Sequence, residues 1–384
     1  MALTTVSSDR LSTNVKNTNF TSAEKQDLTD DILPLAGQLG NRNLIINGAM
    51  QVAQRGTSST SSSYATVDRF GIGFGEGSIT QAQVDLTSSD TPYASGFRKA
   101  FKLTNSTAST AAAAARDIRY QIEAQDIATS GWDSTSTSSN ITLSFWVRSS
   151  VAQTYYCFHY VPDSSKHYVW SFALSANTWT KVTKTIPGAS GVTFNNDNGP
   201  GMSVQIVAFY GTNLTASGVA LNAWGGWNSS NRVPDMTTTW GGTTNATFEV
   251  TGLQLEVGSV ATDFEHRSLG QELALCKRYY QQFPQNPADA YGPIGVGRIR
   301  NATNAHIVLT FPEMRSSPTA AKSGNLRVLH AATGTVVNSV ASSHMARSTV
   351  FIEAIVSSGL AQGEGCILTA DNDSSGKITL SAEL

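Results

Sequence analysis

The sequence predicts a mainly β protein: a jelly-roll β-sandwich, then a short helix and a smaller C-terminal β-domain, with a short helical anchor at the N-terminus. Three observations carry this. Charged residues are only 14% of the 384, while glycine and small polar residues abound, as suits many short strands joined by polar turns. Several stretches alternate apolar and polar residues at the two-residue period of a strand. Between Thr247 and Phe283 that period switches from two to nearly four, which marks a joint between modules.

Residues 1–40 are a polar lead-in, in which Thr21 and Glu24 make a capping-box pattern and Leu28, Ile32 and Leu35 one helical stripe, ended by Pro34 and Gly37. A helix this short is marginal in water by itself, so it is expected to dock on a partner, on its own copies or on the next domain. From residue 41 to 267 strands recur between turn-rich segments at 58–63, 134–140 and 195–201. Ile141, Leu143, Phe145 and Val147 alternate cleanly, as do Tyr168, Trp170, Phe172 and Leu174, and Val204, Ile206 and Ala208, each giving one face to a core. The alanine run 111–115 favours helix by propensity and is read as a loop or a poor strand.

At the joint, Phe248 and Val250 alternate with polar residues, and after Gly252 the alternation resumes out of phase at Leu253, Leu255 and Val257. A phase slip at glycine reads as a β-bulge. Leu269, Leu273, Cys276, Tyr280 and Phe283 then recur at helical spacing, with Ser268 and Gln271 as a capping box and Pro284 as a stop. This helix is expected to pack on a flanking domain and make a rigid elbow. Residues 268–384 hold it and a second set of strands, 306–311, 326–329, 349–356 and 377–382, whose edges are interrupted by prolines 284, 287, 293, 312 and 318.

An apolar content of 40% is ample for folded cores. The formal net charge of −2, with no basic run interleaved with aromatics, argues against nucleic-acid binding and implies no anionic membrane surface. The opening MALTTVSSDR lacks a basic n-region and an apolar h-region, and no eighteen apolar residues run together, so neither secretion nor membrane insertion is expected. Cys157, Cys276 and Cys366 have the spacing of neither a metal site nor a redox pair and read as small buried hydrophobes. No cofactor or metal is expected.

Tryptophan among glycines is the feature that points to chemistry: Ala223-Trp224-Gly225-Gly226-Trp227-Asn228, with Trp240-Gly241-Gly242 close behind. An indole stacks on the C–H face of a sugar ring while nearby amides bond its hydroxyls. Trp224, Trp227 and Trp240, with Asn228 and Arg232 as polar companions, are therefore the candidate ligand site. Alternatively, these rings cap the sandwich core or meet a neighbouring protomer. Trp146 faces away from Phe145 on its strand; a crossing segment is expected to cover it, the other reading being an outer-face glycan platform. Trp179 reads as structural.

Asp371, Asp373, Ser375 and Gly376 match the first half of a calcium loop, but Ala382 stands where that loop calls for glutamate, so a polar hairpin turn is expected. Glu249 and Glu256 read as solvated or paired structural charges. The six histidines are scattered and no serine sits in a nucleophile elbow, so no catalytic residue is assigned and the chain is expected not to be an enzyme.

Two stretches carry a family resemblance: Asn43-Leu44-Ile45-Ile46-Asn47-Gly48 through Arg55-Gly56 with Val67-Asp68-Arg69-Phe70, and Gly252-Leu253-Gln254-Leu255-Glu256-Val257-Gly258 through Phe264-Glu265-His266-Arg267 to Cys276-Lys277-Arg278-Tyr279-Tyr280. Over residues 41–283 the chain resembles tail-fibre and related virion proteins of tailed bacteriophages, those of marine bacteria and cyanobacteria foremost. The resemblance implies a virion-attachment segment at 1–40, a carbohydrate-binding-like jelly roll at 41–267, a distal C-terminal domain, homotrimers, and a virion protein assembled in the host cytoplasm that binds host-surface glycan without catalysis. Long heptads or a β-helical shaft are missing, so the fit is to a short fibre, a fibre tip or a compact appendage. Asp68 and Arg69 are expected to pair and Phe70 to enter the core. The alternatives are a connector or decoration protein that binds only other virion proteins and, further off, a polysaccharide depolymerase.

Overall fold

The computed structural model describes residues 42–284 and 289–384, so the helix and anchor expected at 1–40 lie outside the described residues. The alternating segments become β1 (Ser58–Ser59), β2 (Phe70–Gly75), β3 (Ser78–Asp85), β4 (Lys99–Thr107), β5 (Ala115–Glu123), β6 (Asn140–Ser149), β7 (Gln153–Val161), β8 (Lys166–Leu174), β9 (Thr180–Pro187), β10 (Pro200–Tyr210), β11 (Trp224–Gly226) and β12 (Thr247–Val257). They pair in two six-stranded sheets, ordered β1-β3-β4-β12-β6-β9 and β11-β8-β7-β10-β5-β2. The chain crosses repeatedly between them, the winding of a jelly-roll sandwich.

The alternation assigned from sequence holds. Ile141, Leu143, Phe145 and Val147 of β6 and Tyr168, Trp170, Phe172 and Leu174 of β8 are buried between the sheets. Phe145 meets Trp170 and Phe172 of the opposite sheet at centroid distances of 6.2 and 5.8 Å. Residues 111–114 are loop and turn, and β5 starts only at Ala115.

The first signature stretch works as a fold determinant. Asn47 Nδ2 donates to the carbonyls of Val52 and Asp68, both at 2.9 Å, while its Oδ1 accepts from Val52 N. Phe70 is buried, as expected, but Asp68 and Arg69 do not pair with each other: Asp68 lies 3.6 Å from Arg55, and Arg69 reaches Glu383 at 2.5 Å. The two residues form the turn that leads into β2, with Arg69 at φ +72°, and Arg55 and Glu383 take up the two charges.

The joint carries the bulge read from the phase slip, since the pairing of β12 with β6 shifts register between Thr251 and Gln254. Gly252 has φ +66°, and a Cβ there would lie 2.6 Å from the Phe97 ring, so only glycine is accommodated. The helix Leu269–Lys277 opens on the expected capping box. It is shorter than the spacing suggests: Leu269 is 57% exposed, and the buried side is formed by Glu272 and Cys276. Tyr280 and Phe283 belong instead to a strand that pairs with the C-terminal one. One further helical turn offers few hydrogen bonds, whereas a ladder with a distant strand satisfies the same backbone groups and buries Tyr280.

Beyond the helix come β13 (Tyr280–Phe283), β14 (Pro293–Asn301), β15 (Asn304–Thr310), β16 (Thr319–Ser323), β17 (Leu326–His330), β18 (Thr333–Val336), β19 (Ser339–Ser343), β20 (Thr349–Ile355), β21 (Gly365–Ala370) and β22 (Lys377–Ser381). A seven-stranded sheet, β18-β17-β21-β14-β15-β20-β19, and a three-stranded sheet, β13-β22-β16, enclose a second core around Ile307, Leu309, Val328, Ile352, Leu368 and Leu380. The Asp371–Gly376 segment is a polar turn whose Asp373 accepts from Asn325 N and Ser375 N at 2.8 Å each. It links two different sheets, so it is not the hairpin expected.

Residues Asn43–Leu384 form one compact unit. Arg278 donates to both oxygens of the buried Glu123 carboxylate at 2.7 Å, and Tyr279 Oη donates to it at 2.5 Å. Arg69 stacks 3.4 Å above the Tyr279 ring while holding Glu383, and Arg315 donates to Asn198 O and Ala382 O at 2.6 and 2.8 Å. Sandwich, helix and terminal strand are thus tied by charged hydrogen bonds across the joint.

Candidate functional site

Of the five candidate ligand residues, the structure brings Trp227, Asn228 and Arg232 to one loop over the outer face of the second sheet. Trp240 is not with them. It is 0% exposed and part of the sandwich core, its Nε1 donating to Thr247 O at 3.1 Å. A ring enclosed on both faces cannot stack on a ligand, so Trp240 is removed from the site. Trp224 belongs to edge strand β11, opposite Tyr168, and its Nε1 donates to Pro187 O at 2.7 Å.

Trp227 stacks on Tyr160 at 4.2 Å and lies 5.7 Å from Phe158, while Arg232 sits 5.7 Å from the Trp227 ring. It covers a cluster of Phe158, Val169, Val207, Tyr210 and Val233 on the outside of the sheet. Trp224, by contrast, packs against the sandwich core itself. Beside these rings is a shallow cleft of about 320 Å³, lined by His167, Ser217, Gly226, Asn228 and Asn231 among others; of the five candidates only Asn228 lines it. Burial holds the His167 imidazole below its usual range, partly offset by the Gly225 and Gly226 backbone, so the ring is neutral at pH 7.

A larger cleft of about 380 Å³ lies on the outer face of the first sheet, walled by Phe97, Trp146, Phe264 and His266, with Lys181 and Thr262 among its polar lining. Alternation on β6 turns Trp146 outward, in register with Thr251 of β12 and Lys181 of β9. The chain after β12 crosses back over this face, as expected for Trp146, but leaves the ring partly open. That crossing is held by Glu256, which accepts from Thr262 N at 2.9 Å, and by Gln254, whose Oε1 accepts from Glu265 N at 2.7 Å. Phe264 meets Phe97 edge-on at 4.9 Å, and His266 Nε2 lies 2.9 Å from Ser95 O, which fixes the ring.

Among the polar groups of this cleft, the Trp146 indole N–H and the Lys181 ammonium have no protein partner among the described residues. Trp132, Trp179, Trp224 and Trp240 donate to the protein, whereas Trp170 Nε1 is sealed in the core without a partner. Trp146 combines a partly open ring face with an unpartnered donor in one concave site. Trp179 is structural, as read, donating to Asp90 Oδ1 at 2.9 Å. The sequence signal for Trp146 was its outward phase; Phe97, Lys181, Phe264 and His266 come from other segments, and no local pattern groups them.

The fold and this geometry define a β-sandwich with an aromatic-walled cleft on one outer face. No protein-family model matches the chain, and no curated protein matches it. Among solved structures it is similar to the enzymatically active domain of tailspike protein 4 of bacteriophage CBA120, at 8% identity and a TM-score of 0.31, over 56% of this chain and only 22% of that one. It is also similar to a CBM4 structure, at 10% identity and a TM-score of 0.24, over 41% of this chain and 71% of that one. A family 16 carbohydrate-binding module matches at 12% identity and a TM-score of 0.20, over 41% of this chain and 75% of that one. At such scores these likenesses carry no argument about ligand or activity.

Proposed function

We propose that this chain is a structural protein of a tailed-phage virion, a tail fibre or similar appendage, that recognises host-surface glycan by non-catalytic binding at the Trp146 cleft. The observation that carries the ligand class is the Trp146 ring: apolar face, unpartnered N–H, and the free Lys181 ammonium on the neighbouring strand. A sugar stacks its C–H face on such a ring and offers hydroxyl or carboxylate oxygens to the two donors. Glycoside hydrolysis calls on two carboxyl groups flanking the bond, and the cleft lining includes one, Asp263, which supports binding without cleavage.

The virion role rests on the signature stretches at 43–70 and 252–280. In this reading residues 1–40 attach the chain to the particle, three copies associate, and weak sugar contacts become firm attachment through high effective concentration. Trp146→Ala and Lys181→Glu should each weaken binding of the purified protein to host-surface polysaccharide by about tenfold or more. Lys181 is exposed, so its variant tests the site without disturbing the core. Trp227→Ala should bind like the wild type if its thermal unfolding is unchanged. Wild-type binding by both cleft variants would refute the site.

A further inference from the structure

Trp146 of β6 and Lys181 of β9 stand opposite each other in the first sheet. Directly opposite residues on antiparallel strands have Cβ atoms about 5 Å apart, so a ring stacked on the indole carries its substituents within reach of the ammonium. The other basic side chains of this sheet's strands are engaged. Lys99 pairs with Asp85, Lys102 and Arg148 pair with Glu249, and Lys184 donates to Asn222 Oδ1. Lys181 is exposed and has no partner among the described residues. Asp263, the carboxylate of the cleft lining, has a partner of its own within the protein. The cleft thus sets an uncompensated positive charge beside an open aromatic face and the indole donor.

A neutral sugar matches only part of this arrangement. Its hydroxyls both donate and accept, whereas an ammonium carries three N–H donors and no acceptor. Hydrogen bonds from such a cation are strongest to an ionised oxygen group. The formal net charge of −2 does not oppose an anion here, because charges more than about 8 Å away are largely screened at physiological salt. We infer that the sugar held at the Trp146 cleft is acidic. Its C–H face lies on Trp146, a hydroxyl accepts from the indole N–H, and a carboxylate or sulfate beside the ring accepts from Lys181. Both groups offer the ammonium the same anionic oxygens, and the ligand itself distinguishes them.

An acidic sugar deepens the glycan reading above and rests on it, by naming the chemical class of the ligand. The test is the affinity of the full chain for host-surface polysaccharide in three forms: native, with its carboxyl groups reduced to alcohols, and with its sulfate esters removed. The wild type is expected to bind the native form about fivefold more tightly than one treated form, loss on reduction identifying a carboxylate and loss on desulfation a sulfate. Lys181→Met keeps the aliphatic stem and removes the charge, so it should bind all three forms equally weakly, while Lys181→Arg keeps the preference. Both replace an exposed side chain and should retain the wild-type unfolding temperature. Raising salt from about 0.1 to about 1 M shortens the screening length from about 10 to about 3 Å and should weaken the wild type but not Lys181→Met. Equal wild-type affinity for all three forms, or an undiminished preference in Lys181→Met, with Trp146→Ala still weakened, would overturn the acidic sugar and leave the glycan reading in place. A wild type that binds none of the forms, or wild-type binding by both Trp146→Ala and Lys181→Met, would overturn both.

Discussion

Asp68 is 1% exposed, beneath Gln54 and 3.6 Å from Arg55. Burial pushes its carboxyl up to about 6, against the opposing pull of Arg55 and the Gln54 hydrogen bonds. A carboxyl whose folded pKa is raised binds its proton more tightly in the folded state, so its contribution to stability grows as pH falls from about 7 through 6 and levels off below its unfolded value near 3.8. The raised value corresponds to at most about 3 kcal/mol. Asp68→Asn should therefore flatten the rise in unfolding temperature between pH 7 and 4.5; equal slopes in the two proteins would contradict this. At the same scale, the tryptophans show what residue type alone leaves open. Trp240 and Trp146 share a chemistry, but one is sealed in the core and the other faces a cleft.

The bulge in β12 is the element that shapes the cleft, because Gly252 brings Phe97 against the sheet beside Trp146. Gly252→Ala would hold a non-glycine residue at φ +66° and crowd the Phe97 ring, at a cost of about 2 kcal/mol. Lower thermal stability with weakened polysaccharide binding is expected; a variant matching the wild type in both would remove the bulge from the site. This element was legible in the sequence as a phase slip. The strand at Tyr280–Phe283 was not, since its residues also fit helical spacing and its partner lies about a hundred residues away at Lys377–Ser381. Likewise β14, with Gly295 and Gly297 inside it, lacks a strand pattern; its glycines let β15 approach, a Cβ at Gly297 falling 1.9 Å from His306 O.

Across the whole molecule, stability and orientation meet at Glu123, where the sandwich holds Arg278 and Tyr279. Burial alone would raise this carboxyl, but the Arg278 and Tyr279 hydrogen bonds outweigh it and hold it below the usual range. Its contribution is therefore present above the unfolded pKa near 4.5 and lost as pH falls through the lower folded value, opposite in sign to Asp68. Glu123→Gln keeps the shape and removes the charge, and should cost about 3 kcal/mol while loosening the elbow. Unfolding temperature and small-angle scattering would read the two effects. A variant with the scattering profile and stability of the wild type would show that the elbow is held elsewhere.

The amino-acid sequence by itself determined the alternating strands of the sandwich, the bulge at Gly252 and the capping box at Ser268, because each is written in the spacing of neighbouring residues. Only the tertiary structure decided that Trp240 is core, that Trp224 packs against that core while Trp227 covers an outer-face cluster, that Trp146 opens on a cleft, and that Ile367, Val296, Val308 and Phe351 line up across four strands. Local spacing sets which face of a strand a side chain takes. Whether that face is covered depends on segments far away in the chain.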